Sequence, residues 1–230
     1  MWIGICRAIK ATSELDAAAL IEQKRDFPDF YMTSPQPCPY LPGRRERKVF
    51  THLSADKPLG VVDHLLRTGF RRSQRVAYTP HCEGCNACVS VRVVVDDFAP
   101  GRTFRRTLKR NRDMVARRLA PAPTSEQYTL FRDYIATRHG EGGMTDMSSL
   151  DYAMMVQDSM PKTQLTEYRR RQPLGLASEF DNWPLLGVAL SDRLSDGLSL
   201  VYSFYDTDDA GRSLGTYIIL EQIRDRKSVG

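Results

Sequence analysis

Several segments repeat apolar positions at the three-to-four-residue spacing of an amphipathic helix. The sharpest start is at Thr124, where a Thr-Ser-Glu-Gln capping box opens a segment with Tyr128, Phe131 and Tyr134 on its apolar side. Gly69 follows another such segment and predicts where that helix ends. The predicted helices cover residues 13–23, 61–68, 103–119, 124 onward, 148–160 and 213–224.

Runs rich in β-branched and aromatic residues predict strands between these helices. They cover residues 88–95, 165–171, 185–194 and 198–205, and the Ser-Asp-Gly turn at 195–197 makes the last two a hairpin. Five prolines break up the segment between residues 26 and 43 and predict an ordered loop there.

This mixture predicts an α/β (α+β) protein with two domains. The two prolines in residues 120–124 exclude a continuous helix and mark the boundary. Residues 1–120 are expected to form a mixed N-terminal domain with a Cys-rich loop and a basic helix. Residues 121–230 follow the helix, strand and helix order of acetyltransferase-like (GNAT-like) domains.

Composition narrows the class of protein. The chain has 33 basic and 28 acidic residues among 230, a net charge of +5 that is compatible with a nucleic-acid partner. No run approaches 18 apolar residues, and Arg7 and Lys10 interrupt the N-terminal apolar stretch, so we expect no membrane span and a cytoplasmic protein. Five cysteines, three of them crowded together, indicate reduced thiols rather than a disulfide framework.

Three of those thiols, Cys82, Cys85 and Cys88, lie within seven residues. Their spacing suits a shared metal ion, with Cys38 or His81 as a fourth ligand. The alternative is a reduced loop with one buried cysteine. An iron–sulfur cluster or zinc would stabilise the loop rather than perform chemistry, because no redox motif accompanies it.

Basic residues cluster at helical spacing in the segment that follows, which predicts a face that contacts phosphates; the alternative is a solvated surface. These residues are Arg102, Arg105, Arg106, Lys109, Arg110 and Arg112. Arg71 and Arg72, beside the thiols, suit a bidentate carboxylate clamp or pairing with internal acids.

The segment at residues 211–217 leads into the last predicted helix, whose first backbone N–H groups suit an anion or a developing oxyanion. It half-matches the loop that cradles the pyrophosphate of coenzyme A. Tyr217 stands where that loop has a small residue, which argues against a coenzyme A-dependent acyltransferase. No triad spacing, Walker loop or GxGxxG motif occurs.

Nine short motifs follow one another along the chain, and they begin at Phe30, Cys38, Gly69, Cys82, Phe104, Arg138, Gly142, Leu194 and Arg212. In this order, they resemble the motifs of the bacterial aminoacyl-tRNA–protein transferases over roughly residues 27–223. The similarity is strongest to the aspartate/glutamate leucyltransferase branch, which is related to the eukaryotic arginyltransferases.

The resemblance implies transfer of leucine from leucyl-tRNA to proteins that begin with Asp or Glu, which marks them for N-degron degradation. Arg71 and Arg72 would bind the acidic N-terminal side chain, and the basic helix would bind the tRNA. No cofactor would be required. The residues expected to line the catalytic cleft are Tyr202, Ser203, Tyr205, Asp206, Ser213, Gly215 and Tyr217.

Two departures from the family bear on these expectations. Leu41 stands where the eukaryotic arginyltransferases have the second Cys of a pair, so a four-thiolate cluster would need Cys38 with all three loop thiols. The chain also ends before the family's closing strand and basic segment, which leaves activity open and predicts an exposed sheet edge. The alternatives are an arginyl-tRNA–protein transferase and a catalytically inactive RNA-binding relative.

Overall fold

The structure is a computed structural model that describes residues 3–6, 28–53, 59–140, 144–158, 162–172 and 180–228. The predicted helix at residues 13–23 lies outside these ranges. The helices are α1 (Leu59–Arg67), α2 (Arg102–Arg110), α3 (Ser125–Arg138), α4 (Ser149–Gln157) and α5 (Leu214–Ser228).

The strands build three sheets, so the mixed α+β class is confirmed. The strands are β1 (Ile3–Cys6), β2 (Tyr31–Met32), β3 (Gln36–Pro37), β4 (Arg45–Glu46), β5 (Lys48–His52), β6 (Arg71–Ser73), β7 (Val76–Pro80), β8 (Val91–Val94), β9 (Met114–Leu119), β10 (Thr163–Arg170), β11 (Leu185–Arg193) and β12 (Gly197–Tyr205). The largest sheet has the order β8-β1-β12-β11-β10-β9, a second has β2-β5-β7-β6, and β3 pairs with β4.

The six-stranded sheet is covered on both faces. Val188 and Leu190 of β11 point to one face, where they join Phe131 of α3 and Tyr152 of α4 in a buried cluster. Ala189, between them, points to the other face and joins a cluster with Ile218 of α5. Successive side chains of a strand alternate between faces, so β11 contributes to both clusters. The predicted β11–β12 hairpin forms the two central strands of the sheet.

The capping box predicted at the start of α3 is confirmed, and the structure shows a second one at the start of α4. Gln127 donates its backbone N–H to the Thr124 hydroxyl, while the Gln127 side chain accepts from the Thr124 N–H. Ser148 and Asp151 form the same reciprocal pair at the start of α4. These bonds satisfy backbone donors that have no partner inside a helix.

The predicted helix over residues 103–119 is wrong in its second half. Helix α2 ends at Arg110, where the Asn111 side chain donates to the carbonyl of Thr107. Residues from Met114 onward form β9 and pair with β10. Tertiary pairing overrides helical periodicity here, because β10 would otherwise expose a hydrogen-bonding edge.

The four-stranded sheet packs one face on α1, in a cluster that includes Leu53, Leu66 and Ala77. Strands β1, β8 and β9, from the first 120 residues, belong to the six-stranded sheet, so that sheet crosses the predicted boundary at residue 120. The two-domain division and the acetyltransferase-like arrangement of the second half stay predictions. In the described part of the chain, every helix is too short or too polar to cross a bilayer.

Candidate functional site

Arg71 lines a cavity of about 470 Å³. Its Nε is buried, and no described residue accepts a hydrogen bond from it. A buried guanidinium nitrogen without a partner is costly, whereas a carboxylate would satisfy it with a charge-assisted hydrogen bond. The cavity is lined by Cys38, Tyr40, Leu41, Arg44, Arg45, Glu46, Arg71, Pro80, Cys82, Cys85, Ala87, Cys88, Val89 and Val91.

Arg72 points to the opposite face of β6, because adjacent strand residues alternate. Its buried guanidinium donates to both carboxylate oxygens of Asp192, at 2.5 and 2.9 Å, and to Thr163 at 3.3 Å. Of the two interpretations of the arginine pair, Arg72 therefore takes internal pairing rather than the predicted substrate clamp. Its ion pair fixes β6 and with it the position of Arg71.

The thiols predicted to share a metal ion are gathered around the same cavity, and each is half-buried. Within the described ranges, which contain Cys38, Cys82, Cys85 and Cys88, no three Cys, His, Asp or Glu side chains are placed to hold a metal ion. The residues present therefore line a pocket without forming a ligand set. Metal binding stays a prediction, which metal analysis of anaerobically purified protein tests.

The cavity joins an apolar wall to a charged rim. Leu41, Val89 and Val91 supply aliphatic surface. On the rim, Arg44 donates to the carbonyl of Gly84 at 3.3 Å, and Glu46 pairs with Lys48 at 2.8 Å. Such a pocket suits an apolar group together with an anion, and the carboxylate of Glu46 suits a cation.

A second, smaller cavity of about 90 Å³ lies at the start of α5. Ser213 precedes the helix in the left-handed conformation, with φ 53° and ψ 49°. The first backbone N–H groups of a helix have no acceptor within it, and they carry its positive dipole end. Arg138, at the end of α3, also lines this cavity, which therefore suits an anion.

Gly215 is required by the close approach of Tyr205. A Cβ on Gly215 would lie 2.8 Å from Cε1 of Tyr205 and 2.9 Å from its hydroxyl. The ring of Tyr205 also packs edge-on against Tyr134, whose pKa is raised by burial and by the neighbouring Tyr205. The ring thus forms one wall of the cavity.

The structure divides the predicted catalytic residues. Tyr205, Asp206, Ser213 and Gly215 line the α5 cavity. Tyr217 does not: it is 3% exposed and packs against Tyr168 in the core, because it lies on the inner side of α5. This corrects its predicted place in the cleft.

Two further members of the predicted set also lie apart from the α5 cavity lining. Tyr202 packs on Phe131, and Ser203 is half-buried on β12. Burial raises the pKa of Tyr202 and of Tyr217, so both phenols stay protonated at neutral pH. Neither serves as a base.

Helix α2 presents the predicted tRNA-binding residues to solvent. Arg102, Arg105, Arg106, Lys109 and Arg112 are exposed and make no ion pair with any residue in the described ranges. Arg110 donates to the carbonyl of Gly211, and the Asn111 amide donates to the carbonyl of Arg212 at 2.8 Å. The basic helix is thereby docked on the loop that leads into α5.

Arg212 secures the same junction. It donates to both oxygens of Asp113, each at 2.8 Å. Hydrogen bonding to Arg212 lowers the pKa of Asp113, and the same bond raises the pKa of Arg212. Both groups therefore remain charged at neutral pH, which holds the start of α5 against the end of α2.

The two cavities lie apart. Val91, which lines the same cavity as Arg71, pairs with Ile3 of β1, and Ile3 pairs with Leu200 of β12. Val91 is therefore two strands away from β12, and Tyr205 lies five residues beyond Leu200 along that strand. Strand spacing and rise put Val91 and Tyr205 roughly 20 Å apart. One small acceptor group cannot contact both cavities, so the predicted acid-binding residue Arg71 and the predicted cleft residues at the start of α5 line two separate cavities.

Sequence reasoning passed over two residues. Arg138 lines the α5 cavity, and Glu46 lines the first cavity together with Arg71. Arg138 appears in a motif that resembles the family, but nothing local points to its role. Glu46 stands inside the basic run from Arg44 to Lys48, where a lone acid is the available signal.

Comparison with known proteins shows that two family models match successive parts of the chain. One, described as "Arginine-tRNA-protein transferase, N terminus", matches residues 36–106. The other, described as "Arginine-tRNA-protein transferase, C terminus", matches residues 126–229. Together they cover most of the chain.

Individual relatives agree with the family models. The aspartate/glutamate leucyltransferase of Azorhizobium caulinodans is 56% identical over 92% of this chain and 85% of the relative. That of Xanthobacter autotrophicus is 56% identical over 91% and 84%. A Methylobacterium protein of the same name is 54% identical over 90% and 83%.

Proposed function

This chain belongs to the arginine-tRNA-protein transferase family, and from that premise we propose that it moves leucine from leucyl-tRNA to the N-terminal Asp or Glu of proteins. The names of its relatives, which are more than half identical to it, support leucine as the donor. A tRNA donor implies a cytoplasmic reaction that marks acceptor proteins for degradation.

The observation that carries the proposal is Arg71 in its cavity. The Arg71 side chain lines the cavity and forms no ion pair within the described ranges, so its guanidinium suits the carboxylate of an N-terminal Asp or Glu. Glu46, on the same cavity, suits the acceptor's α-ammonium group. Leu41, Val89 and Val91 offer an apolar wall that suits a leucyl side chain better than a guanidinium.

The chemistry needs orientation more than strong acid–base groups. An aminoacyl-tRNA ester is already activated, and an α-amine with a pKa of about 8 is partly neutral in the cell. The neutral amine attacks the ester carbonyl, the bond to the tRNA ribose oxygen breaks, and the amine proton passes to that oxygen. Holding both reactants in one pocket supplies most of the acceleration without ATP.

The second cavity suits the tRNA rather than the amine, because its residue Tyr205 lies roughly 20 Å from Val91 of the Arg71 cavity by strand geometry. Cations on α2 would contact acceptor-stem phosphates, and the α5 start would take a phosphate of the unpaired 3′ strand. That strand would then extend to the Arg71 cavity with its aminoacyl end.

The test incubates the protein with labelled Leu-, Arg- and Phe-tRNA and with peptides that begin with Asp, Glu, Lys or Ala. We expect label only from Leu-tRNA on Asp and Glu peptides. Label from Arg-tRNA would favour the arginyl alternative. Salt-sensitive tRNA binding without any transfer would favour the inactive RNA-binding alternative.

A further inference from the structure

One row of side chains crosses all four strands of the smaller sheet. Tyr31 of β2 pairs with Phe50 of β5, Phe50 pairs with Tyr78 of β7, and Tyr78 pairs with Arg71 of β6. Directly opposed residues of antiparallel strands point to the same face. Three aromatic rings therefore lead in a line to Arg71, and we call these four residues the aromatic row.

The next row of the sheet shows which face is structural. Thr51, Ala77 and Arg72 are also opposed in register, and their exposures are 0%, 0% and 4%. That row packs towards α1 and the Asp192 ion pair. The aromatic row points the other way.

The rings of the aromatic row stay accessible. Tyr31 is 50% exposed, while Phe50 and Tyr78 are half-buried. None of the three belongs to a hydrophobic core cluster of the described residues. Tyr31 and Phe50 have ring centroids 5.6 Å apart, so they form a continuous apolar surface.

One cation contacts this surface, and three more lie in the chain segment that precedes it. Lys48 lies 5.6 Å above the ring of Tyr78, and His52 packs edge-on against Phe50. Arg45 and Arg47 donate to the carbonyls of Pro35 and Thr33. A carbonyl leaves a guanidinium charge uncompensated, so the run from Arg44 to Lys48, which leads into β5, keeps a net positive charge.

We propose that the aromatic row binds unpaired bases at the 3′ end of the aminoacyl-tRNA by stacking. Open rings interleaved with cations are the features with which proteins bind single-stranded nucleic acid. The row ends at Arg71, so a terminal base stacked on Tyr78 would bring its ester to the acceptor's amine. This inference rests on the proposed function, since that function supplies a tRNA.

The charge around the row favours RNA over the acceptor protein. A protein with N-terminal Asp or Glu presents one obligatory anion, and Arg71 accounts for it. The remaining cations match the phosphates of a strand, each of which adds affinity by releasing counterions.

The test measures binding of a deacylated leucine tRNA transcript and of the same transcript without its unpaired 3′ nucleotides. We expect Tyr31→Ala to weaken binding of the complete transcript about ten-fold and to leave the shortened one unchanged. Tyr31→Trp keeps a stacking surface and should restore affinity. Leu150→Ala, which removes an exposed apolar side chain from α4, is the control and should change neither.

Two results would overturn the inference. One is an equal effect of Tyr31→Ala on both transcripts, including no effect on either. The other is a raised KM for the acceptor peptide with unchanged tRNA affinity, which would assign the row to the protein substrate. Absence of leucyl transfer by the unaltered protein would count against the proposed function alone, because the two transcripts report on the row without any transfer.

Discussion

Arg71 and Arg72 differ in role although they are adjacent and chemically identical. Strand alternation sends Arg72 into a buried pair with Asp192 and leaves Arg71 facing a cavity with an unpartnered Nε. A buried ion pair restrains position, whereas an unsatisfied donor offers affinity to a ligand. The same residue type thus makes a buried ion pair at one position and lines a cavity at the next.

Replacing Arg71 tests recognition directly. We expect Arg71→Ala to lower kcat/KM for an Asp-initiated peptide about 30-fold or more, since it removes one partner of a buried charge pair. The value for the isosteric Asn-initiated peptide should stay unchanged. Arg132→Ala, on exposed α3 surface, is the control. An undiminished preference for Asp over Asn would show that the acid binds elsewhere.

Gly215 tests what the α5 cavity holds. In Gly215→Ala the new Cβ would meet the ring of Tyr205 at 2.8 Å and displace it into the cavity. We expect KM for leucyl-tRNA to rise with little change in kcat, because we propose that the cavity binds a tRNA phosphate away from the reacting ester. Gly60→Ala, whose Cβ has no neighbour within 4 Å, is the matched control. A fall in kcat alone would place the ester at α5 instead.

At the scale of elements, α2 depends on its neighbours more than on its own sequence. It is short and highly basic, and its charges repel one another, so packing must hold it. Arg110 and Asn111 provide that packing by bonding to the loop before α5. Helix α2 and the α5 cavity are consequently fixed relative to each other.

The exposed face of α2 should set the salt dependence of tRNA binding. We expect the combined Arg105→Ala and Arg106→Ala substitutions to reduce the slope of log K against log salt by about 0.9 for each phosphate that the helix no longer neutralises. Measuring tRNA affinity across a salt series provides the slope. Arg132→Ala removes an arginine already paired with Asp133 and should leave the slope unchanged. An unaltered slope in the double variant would exclude α2 from the interface.

Across the whole molecule, the Arg72–Asp192 pair joins the smaller sheet to the larger one. Its side chains are 0% and 4% exposed, and Asp192 lies near the turn of the β11–β12 hairpin. Breaking a buried pair leaves one charge without a partner in a medium that solvates it poorly. The relative position of the two sheets therefore depends on this contact.

Arg72→Ala should lower the free energy of unfolding by about 3–5 kcal/mol, because Asp192 is left buried and unpaired. Urea denaturation measures the change. Arg75→Ala breaks an exposed pair with Asp158 and should cost less than about 1 kcal/mol. Equal losses in the two variants would show that the buried pair does not couple the sheets.

The sequence alone determined what depends on neighbours along the chain. The capping boxes at Thr124 and Ser148 and the hairpin turn at 195–197 act within a few residues, so α3, α4 and the β11–β12 hairpin were predictable. The family was likewise readable from ordered motifs. The sequence also predicted that α2 is a basic helix, although it did not predict where that helix ends.

Only the tertiary structure decided which side chains share a space. Pairing with β10 turned residues 114–119 into a strand, and helix packing buried Tyr217. The formation of β6 placed Arg71 and Arg72 on opposite faces of a sheet, and the strand register aligned three aromatic rings with Arg71. The order of strands in the larger sheet set the α5 cavity apart from the Arg71 cavity. Register and packing join residues that are distant in sequence, and no local pattern encodes those distances.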